Sequence, residues 1–452
     1  MARSDLSFAL QPDDSFEYIQ LANGMRAGCG FARLINHTCQ KPEILRTPGY
    51  PVFLAVMNHG LRSLLMTQGV ISAATGVAVA FWIMIAWNFR AAVAAQLLIA
   101  CDLPSIVMAN EVMTETIFQA MVMIAAFLAL TVSSYRAGRF RWALLTGILA
   151  GAALLTRPTG IVLPFLLPIP FLIRKKIQLR VRLRDAALVF VIPLMIGVGW
   201  SARNYMVAGY PGLSTVGAIN LYYYRAANVV ARRNGTILAT ARDSFGKQLG
   251  VPFERIFQAN VQSPELVNRM KRSAFRTLAT HPLEVVLMTV QASAYLAFAP
   301  MRSPVAVMIG TQGASAGEGF NAGAPTLGRL RTTFRTILLS PVLSGLVLVE
   351  AVLTLALWTG VGLAWMRMLC AKSEYRLWVL FLSAAGLLLM LLGAGGDADV
   401  RFRCPAIPLL AAVAALGYFP GRSASSRLAR RPVKAFSIQP VSEVSLPGAL
   451  KA

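Results

Sequence analysis

Acid, histidine and charge in general are scarce in this chain. Only 14% of its 452 residues are Asp, Glu, Lys or Arg, against roughly 25% in a soluble globular domain. With 56% hydrophobic residues and a mean hydropathy of +0.60, disorder and a water-soluble fold are both excluded. Three histidines leave little for a histidine-ligated metal. The five cysteines (Cys29, Cys39, Cys101, Cys370, Cys404) form no C-x-x-C and no metal-ligand spacing. The first 48 residues contain no apolar run long enough for a signal peptide or an anchor. Acids number 19 against 43 basic residues, a net charge of +24. No zinc, helix-turn-helix or RNP-like pattern accompanies that charge, so it does not indicate nucleic acid. Basic residues of this abundance belong in short cytoplasmic loops, where they resist translocation and face anionic lipid.

What the chain has instead is a series of apolar windows, at about 65–88, 91–108, 112–134, 142–156, 158–173, 185–202, 340–366, 377–395 and 405–420. Each approaches the length needed to cross a bilayer, some with tilt or local thinning. The expected fold is all-α, a polytopic transmembrane bundle of nine or ten spans. Two basic clusters orient it: Arg136, Arg139 and Arg141, then Arg174, Lys175, Lys176, Arg180, Arg182 and Arg184. With both cytoplasmic, residues 1–64, the 109–111 turn, Arg157 and the loop from Arg203 to about Pro282 face the other side. That loop carries eleven basic residues against three acids, but it is longer than the segments the positive-inside rule governs. It is expected to form a small amphipathic domain on the membrane surface. Arg367, Lys372 and Arg376 also read as cytoplasmic, so 283–299 is expected to be interfacial or re-entrant. The alternative is that it spans and 336–366 folds into two short crossings. The organisation is thus 1–64 as an outer loop, 65–202 as a transmembrane bundle, 203–335 as an outer region with interfacial helices, 336–420 as C-terminal spans and 421–452 as a basic cytoplasmic tail. An outer N-terminal segment with no leading apolar run is expected where a first spanning helix lies upstream of this sequence; the alternative is carriage across by the first hairpin. Cys29 and Cys39 share that outer loop, in an oxidising compartment, and are candidates for a disulfide.

Polar groups beside spans are costly, so their positions carry the functional signal. Asp13, Asp14, Glu17 and Tyr18 lie in P-D-D-S-F-E-Y; Arg46, Pro48, Tyr50 and Pro51 in R-T-P-G-Y-P-V-F; Asn110, Glu111 and Glu115 in N-E-V-M-T-E-T. Arg157 interrupts a hairpin as T-R-P-T-G, Arg203 and Asn204 end a span, and Arg401, Arg403 and Pro405 open the last one. Each has a structural alternative: prolines suit helix starts, Asp13 and Asp14 suit a cap, and arginines at span ends snorkel to headgroups. Their common outer location favours function. A carboxylate can take a proton from a nucleophile while arginine holds a departing phosphate in a bidentate fork.

The order D-S-x-x-Y, G-x-G-F, R-T-P-G-Y-P-x-F, T-E-T, T-R-P-T-G, R-N-Y and R-F-R-x-P, spread over about residues 13–420, resembles the GT-C membrane glycosyltransferases. More narrowly it is similar to the bacterial branch that includes protein O-mannosyltransferases and the aminoarabinose transferase of lipid A. R-T-P-G-Y-P after D-S-x-x-Y is specific; T-E-T and T-R-P are weak alone. The resemblance implies a polyprenyl-phosphate sugar donor, a lipid, glycan or protein acceptor, inverting transfer, and an active site on the periplasmic or outer side of the inner membrane. It carries the catalytic acid to Asp14, with Asp13 as substitute, and a phosphate-contacting cation to Arg46, with Tyr50 in the same segment. Glu111 and Glu115 match the acidic span start, and Arg157, Arg203, Arg401 and Arg403 are candidate substrate-binding residues. Asp13 is expected to raise the pKa of Asp14 as a coupled pair. A divalent cation serves some family members; no tightly bound metal is expected here. Cys404 stands where an aliphatic residue is usual. Aromatic Tyr205, Tyr210, Tyr222, Tyr223 and Tyr224 beside many arginines suit sugar stacking, or equally interfacial anchoring. The rival reading is a transporter or flippase of a lipid-linked saccharide, which calls for repeats and broken helices in matching positions, and the sequence shows none.

Overall fold

The computed structural model describes residues 9–10, 14–57, 60–133, 139–174, 177–258, 263–301, 305, 341–371, 373–396 and 398–420. Asp13, the 421–452 tail and most of 302–340 therefore lie outside the described residues. The fold is helical; among the described residues the only sheet is a two-stranded antiparallel hairpin, Ala32–Ile35 with Thr38–Pro42. Its turn residues Asn36 and His37 both have positive φ, 47° and 60°, as a two-residue hairpin turn that matches strand twist requires. A disulfide joins Cys29 to Cys39, Cα atoms 5.6 Å apart, and closes this hairpin as the loop position suggested.

Among the described residues, six helices are long and apolar enough to cross a membrane: Gly60–Ala86, Glu115–Val132, Leu179–Ala208, Pro341–Cys370, Glu374–Gly393 and the stretch Val400–Tyr418. A seventh forms if Phe89–Ala100 and Leu103–Ala109 count as one span bent by 59°. The bend falls where Asp102 caps the second helix by accepting from Ser105 N at 2.9 Å. Each apolar window of the sequence overlaps a helix, and the nine or ten spans expected compare with six or seven that pass by length and apolarity among the described residues. Arg139–Thr156 opens on two arginines, and 158–173 breaks into a 3-10 turn and two short helices around its prolines. Proline removes a backbone donor and cannot continue a helix through its interior without distortion. The alternative of two crossings within 336–366 fails, because Pro341–Cys370 is one continuous helix.

Burial sorts these helices by role. Glu115–Val132 and Val400–Tyr418 have 83% and 89% of their apolar windows inside the protein, whereas Gly60–Ala86 and Pro341–Cys370 have 22% and 28% and turn residues such as Met66, Val70, Leu348 and Leu355 outward. The Val400–Tyr418 stretch is able to occupy the centre because small residues let neighbours approach: a Cβ on Gly417 would fall 1.9 Å from Gly360 O.

Polar contacts sort by end. Arg139 pairs with Asp185 and donates to Ser133 O at 2.6 Å; Arg174 pairs with Glu374; Arg367 bonds Gly417 O; Asn88 donates to Phe419 O at 3.0 Å. The basic loops around 139–141, 174–184 and 367–376 thus share one end, as expected of them. Helix Pro282–Phe298 has His281 against Arg233 at its start and Ala299 O accepting from Arg403 at 2.9 Å at its end. At 17 residues it is shorter than the six apolar helices above. Residues 209–280 form a separate helical lobe whose core includes Tyr222 and Tyr223.

Candidate active site

At the end opposite the basic loops, the N-terminal segment folds over the bundle. Helix Asp14–Arg26 begins on Asp14 and places Asp14, Glu17 and Tyr18 on one face, because residues three and four apart are helix neighbours. R-T-P-G-Y-P is docked on T-R-P by its own small residues. Thr47 Oγ1 donates to Thr156 O at 3.3 Å, and a Cβ on Gly49 would stand 2.8 Å from Leu155 O and Thr156 Cα. Glycine at 49 is the residue that lets the two motifs touch.

A continuous ionic network results. Arg46 donates to Glu17 at 2.6 Å and to Asp14 Oδ1, with its guanidinium 5.1 Å from the Tyr18 ring centroid. Arg401 donates to Asp14 Oδ2 at 3.3 Å and stands 4.0 Å from Glu115, which pairs with Arg157 at 2.5 Å. Behind Glu17, Arg33 bridges to Glu43, at 3.1 and 2.5 Å respectively. Five carboxylates (Asp14, Glu17, Glu43, Glu115 and the more exposed Asp399) meet four guanidiniums (Arg33, Arg46, Arg157, Arg401), so every guanidinium of the network is matched by a carboxylate. It opens outward at Asp14, whose side chain is 25% exposed, and at Asp399, 41% exposed; Glu115 is sealed. Among the described residues, buried Arg401 Nε has no hydrogen-bond partner.

Burial pushes the Asp14 carboxyl up, but the Arg46 and Arg401 guanidiniums beside it more than offset this and hold it at about 2. The upward shift expected from a coupled Asp13 is thus reversed, because the near charges are cations. Glu17 moves the other way: its burial outweighs Arg46 and Arg33 and raises it above the ordinary carboxylate range.

Of the residues singled out by sequence, Asp14, Glu17, Tyr18, Arg46, Glu115, Arg157 and Arg401 come together here. Tyr50, Arg203 and Arg403 do not. Tyr50 is fully buried, donates to Gln68 at 2.7 Å and packs edge-on against Tyr18 at 5.1 Å, so it backs the site without lining the opening. Glu111 is buried in the turn before Glu115. Arg203 holds the backbone carbonyls of Glu43 and Phe31 at 2.6 and 3.1 Å, against Trp200, and serves the hairpin. Arg403 points away, to Glu350. Tyr222 and Tyr223 are 1% and 0% exposed and donate to Phe245 O and Val251 O, so they fill the lobe and are closed to sugar stacking. Arg33, Glu43 and Asp399 are members the sequence did not reveal, since their partners are contributed by chain folding. Among the described residues no three His, Cys, Asp or Glu side chains are grouped as a metal could use them, and the four buried carboxylates are each held by an arginine, so the site does not fit a bound divalent cation.

No protein-family model matches the chain, and no curated protein does. Among solved structures it is similar to ArnT from Cupriavidus metallidurans in the apo state, at 16% identity and a TM-score of 0.35, over 90% of this chain and 72% of that one. It is also similar to ArnT from the same organism bound to undecaprenyl phosphate, at 13% identity and a TM-score of 0.33, over 90% and 73%. A likeness of that size assigns neither a residue nor a substrate.

Proposed function

We propose that this multi-pass membrane protein is a glycosyltransferase of GT-C type that moves a sugar, with inversion, from a polyprenyl-phosphate donor to a lipid, glycan or protein acceptor on the outer face of the inner membrane. The observation that carries the reading is the convergence of Asp14, Arg46, Glu115, Arg157 and Arg401, from five distant segments, on one ionic network open at Asp14. The separation of this network from the basic loops supports its outer placement. The five-part organisation read from sequence, with its 1–64, 65–202, 203–335, 336–420 and 421–452 segments, belongs to the same proposal.

In this mechanism the donor phosphate binds Arg46 and Arg401. Because those cations are already neutralised, it competes with the Asp14 carboxylate for them. That exchange matters: a carboxylate held at about 2 is ionised but a feeble base, and surrendering its cations restores its basicity. Asp14 then takes the acceptor hydroxyl proton as the new C–O bond forms at the anomeric carbon. The bond from that carbon to the phosphate oxygen breaks with its electron pair left on phosphate, where the guanidiniums stabilise the charge. Positive charge on the sugar ring develops ahead of bond formation, as in other glycosyl transfers. Glu115 and Arg157 brace Arg401 from behind.

The test is an assay in proteoliposomes with radiolabelled polyprenyl-phosphate mannose or aminoarabinose. Release of free polyprenyl phosphate with label on an acceptor supports transfer. Movement of intact donor across the bilayer without release would replace the proposal with a flippase.

A further inference from the structure

We infer that Glu350, acting through Arg403, is a positioning residue that fixes where Arg401 stands in the phosphate site; the inference rests on the function proposed above. Both arginines belong to one short 3-10 turn, Val400–Ala406, whose start is capped by Asp399 accepting from Arg401 N at 3.0 Å. A 3-10 helix has three residues per turn, so side chains two apart leave on different sides. Arg401 leaves toward Asp14 and Glu115. Arg403 leaves into the bundle, where it is 2% exposed, pairs with Glu350 and donates to Ala299 O at 2.9 Å.

Glu350 is 4% exposed on the Pro341–Cys370 helix, and its two oxygens also accept from Met301 N at 3.2 and 3.1 Å. One carboxylate thus ties the end of the Pro282–Phe298 segment, the Pro341–Cys370 helix and the Arg401-bearing turn together. Phe402, between the two arginines, lies under the guanidiniums of Arg157 and Arg401 at 5.4 and 5.3 Å. A shift of the turn at Arg403 is therefore delivered directly to the site. Desolvation consumes most of the attraction of a buried ion pair, so its role here is geometric: it holds one turn in one place.

The experiment is a double-mutant cycle on the full chain in nanodiscs, with Glu350→Gln made alone and in an Arg401→Gln background. Sugar transfer is expected to fall about tenfold in the parent and less than about twofold once Arg401 is gone, since both lesions act on one group. Glu350→Asp is expected to restore part of the loss. A second readout needs no sugar: the protonated fraction of Asp14 at pH 4, from isotope-edited infrared spectra subtracted against Asp14→Asn, is expected to rise in Glu350→Gln. Equal losses in both backgrounds with Asp14 titration unchanged would overturn the inference. If the parent transfers no sugar, the proposed function fails while the Asp14 titration still decides the positioning role. Should Glu350→Gln not insert, Arg403→Lys enters the same cycle.

Discussion

Asp14 sits at the junction of two arginines contributed by opposite ends of the chain, one oxygen to Arg46 and the other to Arg401. Asp14→Asn keeps the shape and cannot accept a proton, so transfer is expected to fall about a hundredfold or more, while donor affinity is kept or raised because no carboxylate competes for Arg46 and Arg401. Arg46→Lys keeps the charge and loses the planar fork that serves Glu17 and Asp14 together, so both donor affinity and turnover are expected to fall. Steady-state kinetics with a polyprenyl-phosphate sugar separates the two. A normal turnover in Asp14→Asn would remove it as the base. The same residue sets a pH dependence of stability. Its carboxyl is held at about 2 in the folded protein, below the ordinary aspartate value of 3.8. The stabilisation is therefore fully present above 3.8 and is lost as pH falls through 2. Thermal melting between pH 5 and pH 2.5 is expected to show less acid destabilisation in Asp14→Asn than in the parent.

At the scale of elements, the contact between R-T-P-G-Y-P and T-R-P decides whether the network closes. Gly49→Ala would force its methyl against the Leu155 and Thr156 backbone, which has no freedom to swing aside as a side chain would. Overpacking of this kind costs about 1–3 kcal/mol. We expect a lowered melting temperature together with a loss of transfer, whereas Gly69→Ala, which meets nothing within 4 Å, is expected to leave both unchanged. The pair of variants separates helix propensity from the docking of the two motifs. The Cys29–Cys39 bridge contributes on the same scale, fixing the hairpin that brings Arg33 between Glu17 and Glu43.

For the whole molecule, the distribution of charge between the two ends predicts orientation. A cysteine introduced at Gly235, in the lobe that continues from the Leu179–Ala208 helix, is expected to react with a membrane-impermeant maleimide on intact spheroplasts. One introduced at Gln178, beside Arg180 and Arg182, is not. The opposite pattern would place the Asp14 network in the cytoplasm and leave it no outer-leaflet acceptor.

What the sequence determined by itself follows from local and compositional rules. Scarce charge and long apolar windows made the chain a helical membrane bundle, basic loops marked one end, and one short motif held Asp14, Glu17 and Tyr18 together. Sequence also put Cys29 and Cys39 in one short loop. Its apolar windows did not show the proline breaks within 158–173, which divide that stretch into short helices without erasing its hydropathy. Tertiary structure decided the rest, because charge pairing acts through space. Arg401 met Asp14 and Arg403 met Glu350 although they are two residues apart, since a 3-10 turn sends them to different sides. Tyr222 and Tyr223, polar enough to suggest a sugar platform, went inside because backbone carbonyls of Phe245 and Val251 satisfy their hydroxyls there. The pKa of Asp14 fell where its sequence neighbour suggested a rise, because the two charges that reach it come from Arg46 and Arg401, which only the fold brings near.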